Sequence, residues 1–280
     1  MRAQLIVFFG GSMSNLIITH PGSAHFDEFF AISLILAKTP GETFRIERRE
    51  PKTDELNNPD IWVVDIGERL EPHLKNFDHH QNIDHAASFV LVSDFLGLAD
   101  DLRTLPWFDF KDKIDRFGPV KTGAEIGTQR LRITYSPFEE WYLELFAADP
   151  MSCMPLMRSF GINMIKNAAD MASQFKFWAK CKKVTLGGHT VVIGHTDKTC
   201  GSQEFNETLE NPAAVLLTHD SRGKGWKMCR FDHFPEVNFS VLEGHKDIKF
   251  AHKTGFVAKT HERIPMDDIL DLVRKALPEG

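Results

Sequence analysis

Histidine and aspartate side chains recur at the ends of five separate strand-like or loop segments of this chain. The apolar run NLIITH (15–20) ends in a histidine, IWVVDIG (61–67) carries an aspartate after four apolar residues, and NFDHHQ (76–81) follows a polar link. Helix-like stretches separate these runs, and strands alternating with helices predict an α/β fold with a mostly parallel sheet. Because the carboxyl ends of parallel strands meet at one edge, we expect these polar side chains to converge there.

The converging groups are imidazoles and carboxylates, without a thiolate among them. Such hard or borderline ligands suit Mn²⁺, Mg²⁺ or Zn²⁺ better than a soft metal or a structural zinc site. Several of them in one place predict two bridged metal ions that activate a water molecule, which is the chemistry of a phosphoesterase. The candidate residues, in chain order, are His20, His25, Asp27, Asp65, Asp78, His79, His80 and Asp115.

The spacing of the first candidates indicates how they approach one another. The pattern H-x4-H-x-D predicts His20 at the end of a strand, with His25 and Asp27 across one turn at the start of the following helix. Asp65 follows a near-continuous apolar run, which predicts a central strand of the sheet. A carboxylate in that rigid position is the best-placed bridge between two metal ions.

The Asp-His-His segment supplies two candidate catalytic residues, Asp78 and His80. We expect the Asp78 carboxylate to orient the imidazole of His79, as partner groups behind metal-binding histidines commonly do. His80 is then left to contact a phosphate oxygen or to protonate the leaving group.

Four motifs of the first half, taken in order, resemble those of the DHH phosphoesterase superfamily. They are H-x4-H-x-D-E, VVD-x-G, F-DHHQ and D-x-x-D-x-x-G. Within that superfamily the chain most resembles the Myg-type group of metal-dependent hydrolases or exonucleases, particularly in THPGSAHFDE and FDHHQ. The resemblance continues in FAHKTGFVA near the C-terminus, so it extends over nearly the whole chain beyond residue 15.

The resemblance implies two bound metal ions, with Mn²⁺ as the expected cofactor and Mg²⁺ or Zn²⁺ as alternatives. One ion would be held by His20, His25 and Asp65. The other would be held by Asp27, Asp65, His79 and Asp115. Asp112 lies one helical turn before Asp115 and could replace it. This chain also has Asp-Arg-Phe-Gly where the group tends to have Asp-Asn-Gly.

The order of the segments predicts two lobes joined by a helical connector. Residues 15–136 form a DHH-type metal-binding catalytic domain, and residues 183–280 form a smaller α/β domain that closes over the substrate. The helix-like stretch 137–182 joins them. Residues 1–14 are expected to form an extension that is free to move. Because Met13 precedes the first strand, the first twelve residues could come from an upstream start.

Two basic segments of the second lobe are candidate substrate contacts. His252 and Lys253 lie between two phenylalanines at a predicted strand turn, where they could grip a phosphate group; a solvated turn is the alternative. Arg222, Lys224 and Lys227 in HDSRGKGWK predict a basic hairpin turn, which is either solvated or in contact with phosphate.

The composition indicates which kinds of partner and which cellular location to expect. The net charge of −6 disfavours tight binding of long duplexes, which needs a broad basic face, and so favours short nucleic acids or nucleotides. The four scattered cysteines indicate reduced thiols in a cytoplasmic protein. No apolar run is long enough to span a bilayer, so we expect no membrane contact. The sequence leaves a homodimer open.

The candidate site and the resemblance together predict a metal-dependent phosphoesterase that hydrolyses phosphodiester bonds. The Myg-type group implies 3′–5′ exonuclease activity on RNA or short oligonucleotides. Hydrolysis of small phosphates or nucleotides, such as pyrophosphate, bisphosphorylated nucleotides or cyclic nucleotides, is the alternative, since sister branches act on them. A non-catalytic nucleotide sensor is less favoured, because a sensor has little need of an open two-metal site.

Overall fold

The computed structural model describes residues 14–125, 127 and 136–278. The chain divides into two compact units, residues 1–169 and 170–280. Within the described residues it contains two β-sheets and nine α-helices, which confirms the predicted α/β class. The predicted extension at residues 1–14 lies outside the described residues except for Ser14. Among the helices of this described part, none combines the length and the apolar character needed to cross a membrane.

The sheet of the first unit contains five strands. They are β1 (Asn15–Thr19), β2 (Phe44–Arg48), β3 (Ile61–Val64), β4 (Leu70–Glu71) and β5 (Asn76–Phe77). Their order across the sheet is β2-β1-β3-β5-β4. All neighbours pair in parallel except β4 and β5, which pair antiparallel at one edge. β1 and β3 are therefore interior strands whose carboxyl ends meet at one edge, where His20 and Asp65 follow them.

Helices connect and cover these strands. They are α1 (Phe26–Lys38), α2 (Thr53–Leu56), α3 (Ser88–Phe95), α4 (Ala99–Leu102), α5 (Phe108–Glu125), α6 (Pro137–Ala148) and α7 (Pro150–Ala179). The boundary between the two units falls within α7. α5 is interrupted at Gly118, which has a φ of 79° and is followed by Pro119. The interruption places the regular first half of α5, with Asp115, directly before a change of direction.

Apolar residues of the central strands and of α1 form the core of the first unit. Ile17 and Ile18 of β1 and Val63 and Val64 of β3 are fully buried, as expected for parallel strands covered on both faces. The sequence of α1 is apolar around most of its circumference, and ten of its residues, 27–36, are buried. The first turn of this buried helix consequently carries two carboxylates into the protein interior.

An ion pair holds α2 beside the end of β2. The Arg49 guanidinium donates to both carboxylate oxygens of Glu55, at 2.8 and 2.7 Å, and to Glu47 at 2.6 Å. The hydrogen bonds from Arg49 lower the pKa of Glu55 to about 2, even though burial acts in the opposite direction. The pair fixes the segment that contains Pro51 and Leu56, two residues that line the cavity described below.

We expect Glu55→Gln to lower the free energy of unfolding by about 1 kcal/mol at pH 7, since it removes one partner of a bidentate pair that is only partly shielded from solvent. The folded-state pKa of about 2 lies below the ordinary value of 4.5. The stabilisation is therefore complete above the ordinary pKa and is lost as the pH falls through the folded one. Urea denaturation of both proteins at about pH 7 and about pH 3 should give a smaller difference at the lower pH. An equal difference at both would contradict the ion pair.

The second unit is built on a mixed sheet of six strands. They are β6 (Lys182–Leu186), β7 (His189–Ile193), β8 (Val215–His219), β9 (Trp226–Arg230), β10 (Ile248–Ala251) and β11 (Val257–Thr260). Their order is β10-β11-β9-β8-β7-β6; β7 and β8 pair in parallel, and the other neighbours pair antiparallel. The helices α8 (Ser202–Glu207) and α9 (Met266–Ala276) complete this unit.

The two faces of this second sheet are covered differently. On one face, Ile269 and Leu272 of α9 pack with Val215 and Leu217 of β8. On the other, Leu216 belongs to a smaller apolar cluster with Trp178 of α7. Because side chains alternate along a strand, Thr218 points to the same face as Leu216.

Candidate metal centre

His20 directly follows β1 and directs its imidazole at two carboxylates. Its Nε2 atom lies 3.1 Å from Glu28 Oε1 and 3.6 Å from Asp65 Oδ2. Arg48, at the end of β2, donates to the carbonyl oxygens of His20 and of two residues in the following turn. These three contacts hold in place the turn between His20 and α1.

The first turn of α1 brings Glu28 into the same cluster. The backbone N–H of His25, the residue that precedes α1, donates to both carboxylate oxygens of Glu28 at 2.9 and 3.0 Å, a contact typical of a capping box. The rings of His25 and His20 lie 5.1 Å apart. Glu28 was not among the residues predicted from the sequence, although it is the last residue of the motif H-x4-H-x-D-E. The signal that could have identified it is a second carboxylate in the first turn of an otherwise apolar helix.

Asp27 is buried and connects α1 with α3. Its Oδ2 atom accepts a hydrogen bond from the N–H of Ser88 at 2.9 Å, and its Oδ1 atom accepts one from the N–H of Phe89 at 2.5 Å. These are the first two residues of α3, so the carboxylate lies at the N-terminal end of that helix as well as in the first turn of its own. Two helix N-termini, each with a partial positive charge, therefore stabilise negative charge at this place.

Asp65 lies at the centre of the cluster. Its backbone N–H donates to Phe77 O at 2.9 Å, which extends the pairing of β3 with β5. Its φ of 59° is in the left-handed region, a conformation that costs about 1 kcal/mol but that aspartate tolerates better than most residues. Asp65 Oδ1 lies 3.4 Å from His79 Nε2, and Oδ2 lies 3.6 Å from His20 Nε2. One carboxylate therefore lies near the imidazoles of two separate segments.

The ring of His79 is directed into a set of three carboxylates. Its Nε2 atom lies 3.1 Å from Asp115 Oδ2, 3.4 Å from Asp27 Oδ2 and 3.4 Å from Asp65 Oδ1. The four side chains come from α1, α5 and the segments that follow β3 and β5, so the arrangement exists only in the folded chain.

Asp115, and not Asp112, is the aspartate of α5 that reaches this set. The Asp112 carboxylate accepts a hydrogen bond from the N–H of Ala87, at the start of α3, at 2.7 Å. Its other oxygen lies 3.2 Å from a guanidinium nitrogen of Arg116. Asp112 therefore fixes α3 against α5, and its two oxygens are both engaged there.

Asp78 contacts His80 and not His79, in contrast to the pairing predicted from the sequence. Asp78 Oδ1 lies 2.7 Å from His80 Nδ1, and Asp78 Oδ2 accepts a hydrogen bond from the N–H of Glu68 at 2.6 Å. The backbone N–H of His80 also donates to Asp78 Oδ1, at 3.1 Å, so the turn that begins after β5 brings His80 back against the Asp78 carboxylate. Asp78 thereby orients the histidine that faces solvent.

The electrostatics of the cluster indicate an excess of negative charge. Burial by itself lowers the pKa of His79, but its hydrogen bonds with Asp115 and Asp65 raise it to about 10. In the same way burial lowers the pKa of His20 and the hydrogen bond with Glu28 raises it, to about 9. Burial and the charges of Asp65 and Asp115 raise the pKa of Asp27 well above its ordinary value. Bound cations would replace the protons that the cluster otherwise takes up.

The donor atoms form three overlapping groups, and within each group they lie within 4.8 Å of one another. The groups are His20, His25, Glu28 and Asp65; then Asp65, His79 and His80; then Asp27, His79 and Asp115. All six residues predicted as metal ligands occur in these groups, and Asp65 and His79 each occur in two. A donor set of imidazoles and carboxylates with excess negative charge fits divalent cations.

Two cavities give access to the cluster. One of about 600 Å³ has His20, Asp65, Asp78 and His80 in its lining, and its volume is within the range of ligand-binding sites. A second, of about 210 Å³, is lined in part by His25, Asp27 and Asp115. Ligands predicted for each of the two metal ions therefore border space that a substrate or a water molecule can enter.

The two predicted substrate contacts, His252 and Lys253, belong to the second unit. They lie in the turn between β10 and β11, where His252 Nδ1 is 2.8 Å from Thr254 Oγ1 and the imidazole packs against the Phe256 ring. Both residues border a cavity of about 430 Å³. Their role in substrate binding remains a prediction.

A comparison with protein families finds one match in the first unit. The family model MYG1_exonuc, described as Uncharacterised protein family (UPF0160), matches residues 16–89. The matched stretch contains every candidate residue from His20 to His80, and it ends before Asp115 and the second unit. No curated protein matches the chain. Over residues 16–89 the chain is thus similar to a family whose model name refers to an exonuclease.

Proposed function

We propose that this chain is a metal-dependent phosphoesterase of the DHH type that hydrolyses phosphodiester bonds, acting as a 3′–5′ exonuclease on RNA or short oligonucleotides. The observation that carries the proposal is the position of Asp65, whose two carboxylate oxygens lie 3.6 Å from His20 Nε2 and 3.4 Å from His79 Nε2. A carboxylate placed between two sets of ligands is what two neighbouring metal ions require. The name of the matching family model supports the same type of reaction.

Seven protein ligands are available for two ions. His20, His25 and Asp65, with Glu28 beside them, would hold one ion, and Asp27, Asp65, His79 and Asp115 would hold the other. Two bound divalent ions would polarise the phosphoryl group and lower the pKa of a water molecule bound there. We expect Mn²⁺, with Mg²⁺ and Zn²⁺ as alternatives, because these ions accept imidazole and carboxylate ligands together.

The protein itself supplies a proton donor for the leaving group. The contact between His80 Nδ1 and Asp78 favours the tautomer with the proton on Nδ1, so that Nε2 is the atom that exchanges a proton with substrate. Burial by itself raises the pKa of Asp78, but the hydrogen bonds from His80 bring it below its ordinary value. Asp78 therefore stays ionised and orients His80. The His80 side chain is 61% exposed. Its protonated Nε2 would donate to the leaving oxygen as the P–O bond breaks.

Hydrolysis of a 5′-labelled RNA ladder in the presence of Mn²⁺ tests the proposal. An exonuclease acting from the 3′ end shortens each labelled product stepwise, and added chelator stops the reaction. Pyrophosphate and a dinucleotide, assayed in parallel, test the alternative substrates. If only these are hydrolysed, the protein is a phosphoesterase of small molecules. If no substrate is hydrolysed with metal bound, the proposed activity is wrong.

We expect His80→Gln to reduce the rate of hydrolysis by about 100-fold to 10,000-fold without loss of bound metal, because general acid catalysis contributes on that scale. The side chain is largely exposed, so stability should not change. The matched control is His73→Gln, which replaces an exposed histidine in the short helix Pro72–Leu74. Metal content is measured together with activity. Loss of a metal ion on substitution of His80 would show that this residue is a ligand and not a proton donor.

A further inference from the structure

A row of polar side chains crosses the sheet of the second unit. Thr218 of β8 is paired with Lys227 of β9, and Lys227 is paired with Lys259 of β11. Directly paired residues on neighbouring strands project from the same face, with Cβ atoms about 5 Å apart. The side chains of Thr218 and of the two lysines therefore project from one face, the face that also carries Leu216.

The charges in this row are not balanced by the protein. Two lysines directly opposite each other destabilise a sheet. Lys259 is paired with Asp220, whose carboxylate oxygen lies 2.5 Å from the ammonium nitrogen. Burial by itself raises the pKa of Asp220. The hydrogen bond from Lys259, together with the charges of Lys259 and Lys249, brings that pKa below its ordinary value. The Asp220 carboxylate is thus shared by Lys259 and Lys249. Lys227 is hydrogen-bonded to the Cys229 thiol, whose pKa burial raises, and in the described part of the chain no ion pair involves Lys227.

The hydroxyl of Thr218 is a second, independent sign of a missing ligand. The residue is fully buried, and its Oγ1 atom has no hydrogen-bond partner among the described residues. A buried hydroxyl without a partner is unfavourable and calls for an explanation. Its neighbour Lys227 is only partly buried, and a flexible lysine side chain can move to admit an anion to the hydroxyl.

We propose that Thr218, Lys227 and Lys259, with Lys249 at their edge, form a binding site for a phosphate group. Ammonium groups bind phosphate oxygens as compact positive charges, and a hydroxyl adds a directional hydrogen bond. Asp220 positions Lys259 and offsets one of the charges. The site deepens the proposed function, on which its physiological ligand rests: the phosphate is one of the phosphodiester groups of the substrate.

Binding without turnover tests the site directly. The probe is a short 5′-fluorescein-labelled oligoribonucleotide, titrated with the full chain in chelator and followed by fluorescence anisotropy. We expect Lys227→Gln/Lys259→Gln to raise Kd about tenfold and to reduce its dependence on salt, since two phosphate-binding charges are removed. The control, Lys182→Gln/Lys183→Gln, removes two exposed charges from β6 of the same sheet and should leave Kd within about twofold. Inorganic phosphate should compete with the probe in the wild type.

Thr218→Val distinguishes an effect on ligand binding from an effect on stability. The substitution removes the buried hydroxyl with little change in shape, so the thermal midpoint should stay equal or rise while the affinity for the probe falls. If neither Thr218→Val nor the lysine pair alters Kd, the phosphate site is refuted.

Turnover of the wild-type protein with Mn²⁺ distinguishes the two proposals. Hydrolysis with unchanged probe affinity in the variants refutes the phosphate site and leaves the phosphoesterase standing. Absence of hydrolysis with weakened binding in the variants supports the phosphate site and refutes the proposed reaction.

Discussion

Replacing Asp65 with asparagine is expected to lower Mn²⁺-dependent hydrolysis by about 1,000-fold or more. Asp65 is the carboxylate that lies near both His20 and His79. If it bridges two ions, its loss removes a ligand from each. Metal ions stabilise the transition state by several kcal/mol, and about 4 kcal/mol corresponds to about three orders of magnitude in rate. Turnover of the RNA ladder and the amount of bound metal per chain measure the effect together.

The same substitution should not weaken the metal-free fold. Asparagine tolerates the left-handed backbone conformation as aspartate does. The substitution also removes one negative charge from a cluster in which negative charge is in excess. The thermal midpoint in chelator should therefore stay equal or rise, whereas Mn²⁺ should stabilise the variant less than the wild type. Asp60→Asn, at an exposed position directly before β3, is the matched control. A variant that retains full activity would exclude Asp65 from the reaction.

Gly161→Ala is expected to give the largest loss of stability, about 3 kcal/mol, because the added methyl group has no space. Gly161 lies in α7, and a Cβ atom at this position would overlap the Ser33 carbonyl oxygen and lie 2.7 Å from its carbonyl carbon. Both Ser33 atoms are backbone atoms of α1, so no change of rotamer can relieve the overlap. The close approach of α7 to α1 consequently requires glycine.

Denaturation with urea measures this loss of stability, and Gly41→Ala provides the comparison. A Cβ atom at Gly41 meets nothing within 4 Å, so the control should change the free energy of unfolding by less than about 0.5 kcal/mol. Because α1 carries Asp27 and Glu28, displacement of this helix in Gly161→Ala should also weaken Mn²⁺ binding. Equal stability of both variants would show that α1 and α7 are not in close contact at this position.

The edge of the sheet where the candidate site forms could be predicted from local sequence. Apolar runs that end in a histidine or an aspartate define strands and their carboxyl ends, and parallel strands bring those ends together by geometry alone. His20 and Asp65 were found in this way, and the turn after His20 identified His25 and Asp27. The predicted residues do lie together in the structure; that they bind metal remains the proposal to be tested.

The partners of individual side chains could not be predicted in this way. Asp112 and Asp115 occupy equivalent positions on successive turns of α5, and only the packing of α3 against that helix engages one and leaves the other for His79. The partner of Asp78 depends on the turn after β5, which brings His80 back against the Asp78 carboxylate.

Pairing between strands that are distant in the chain could not be predicted from local sequence either. Lys227 and Lys259 are separated by 32 positions, and the register between β9 and β11 places them opposite each other. The sequence pattern of a single segment indicates strands, helices and their ends, because these elements follow from hydrophobic periodicity. Contacts between segments depend on register, helix packing and burial, which are properties of the folded chain.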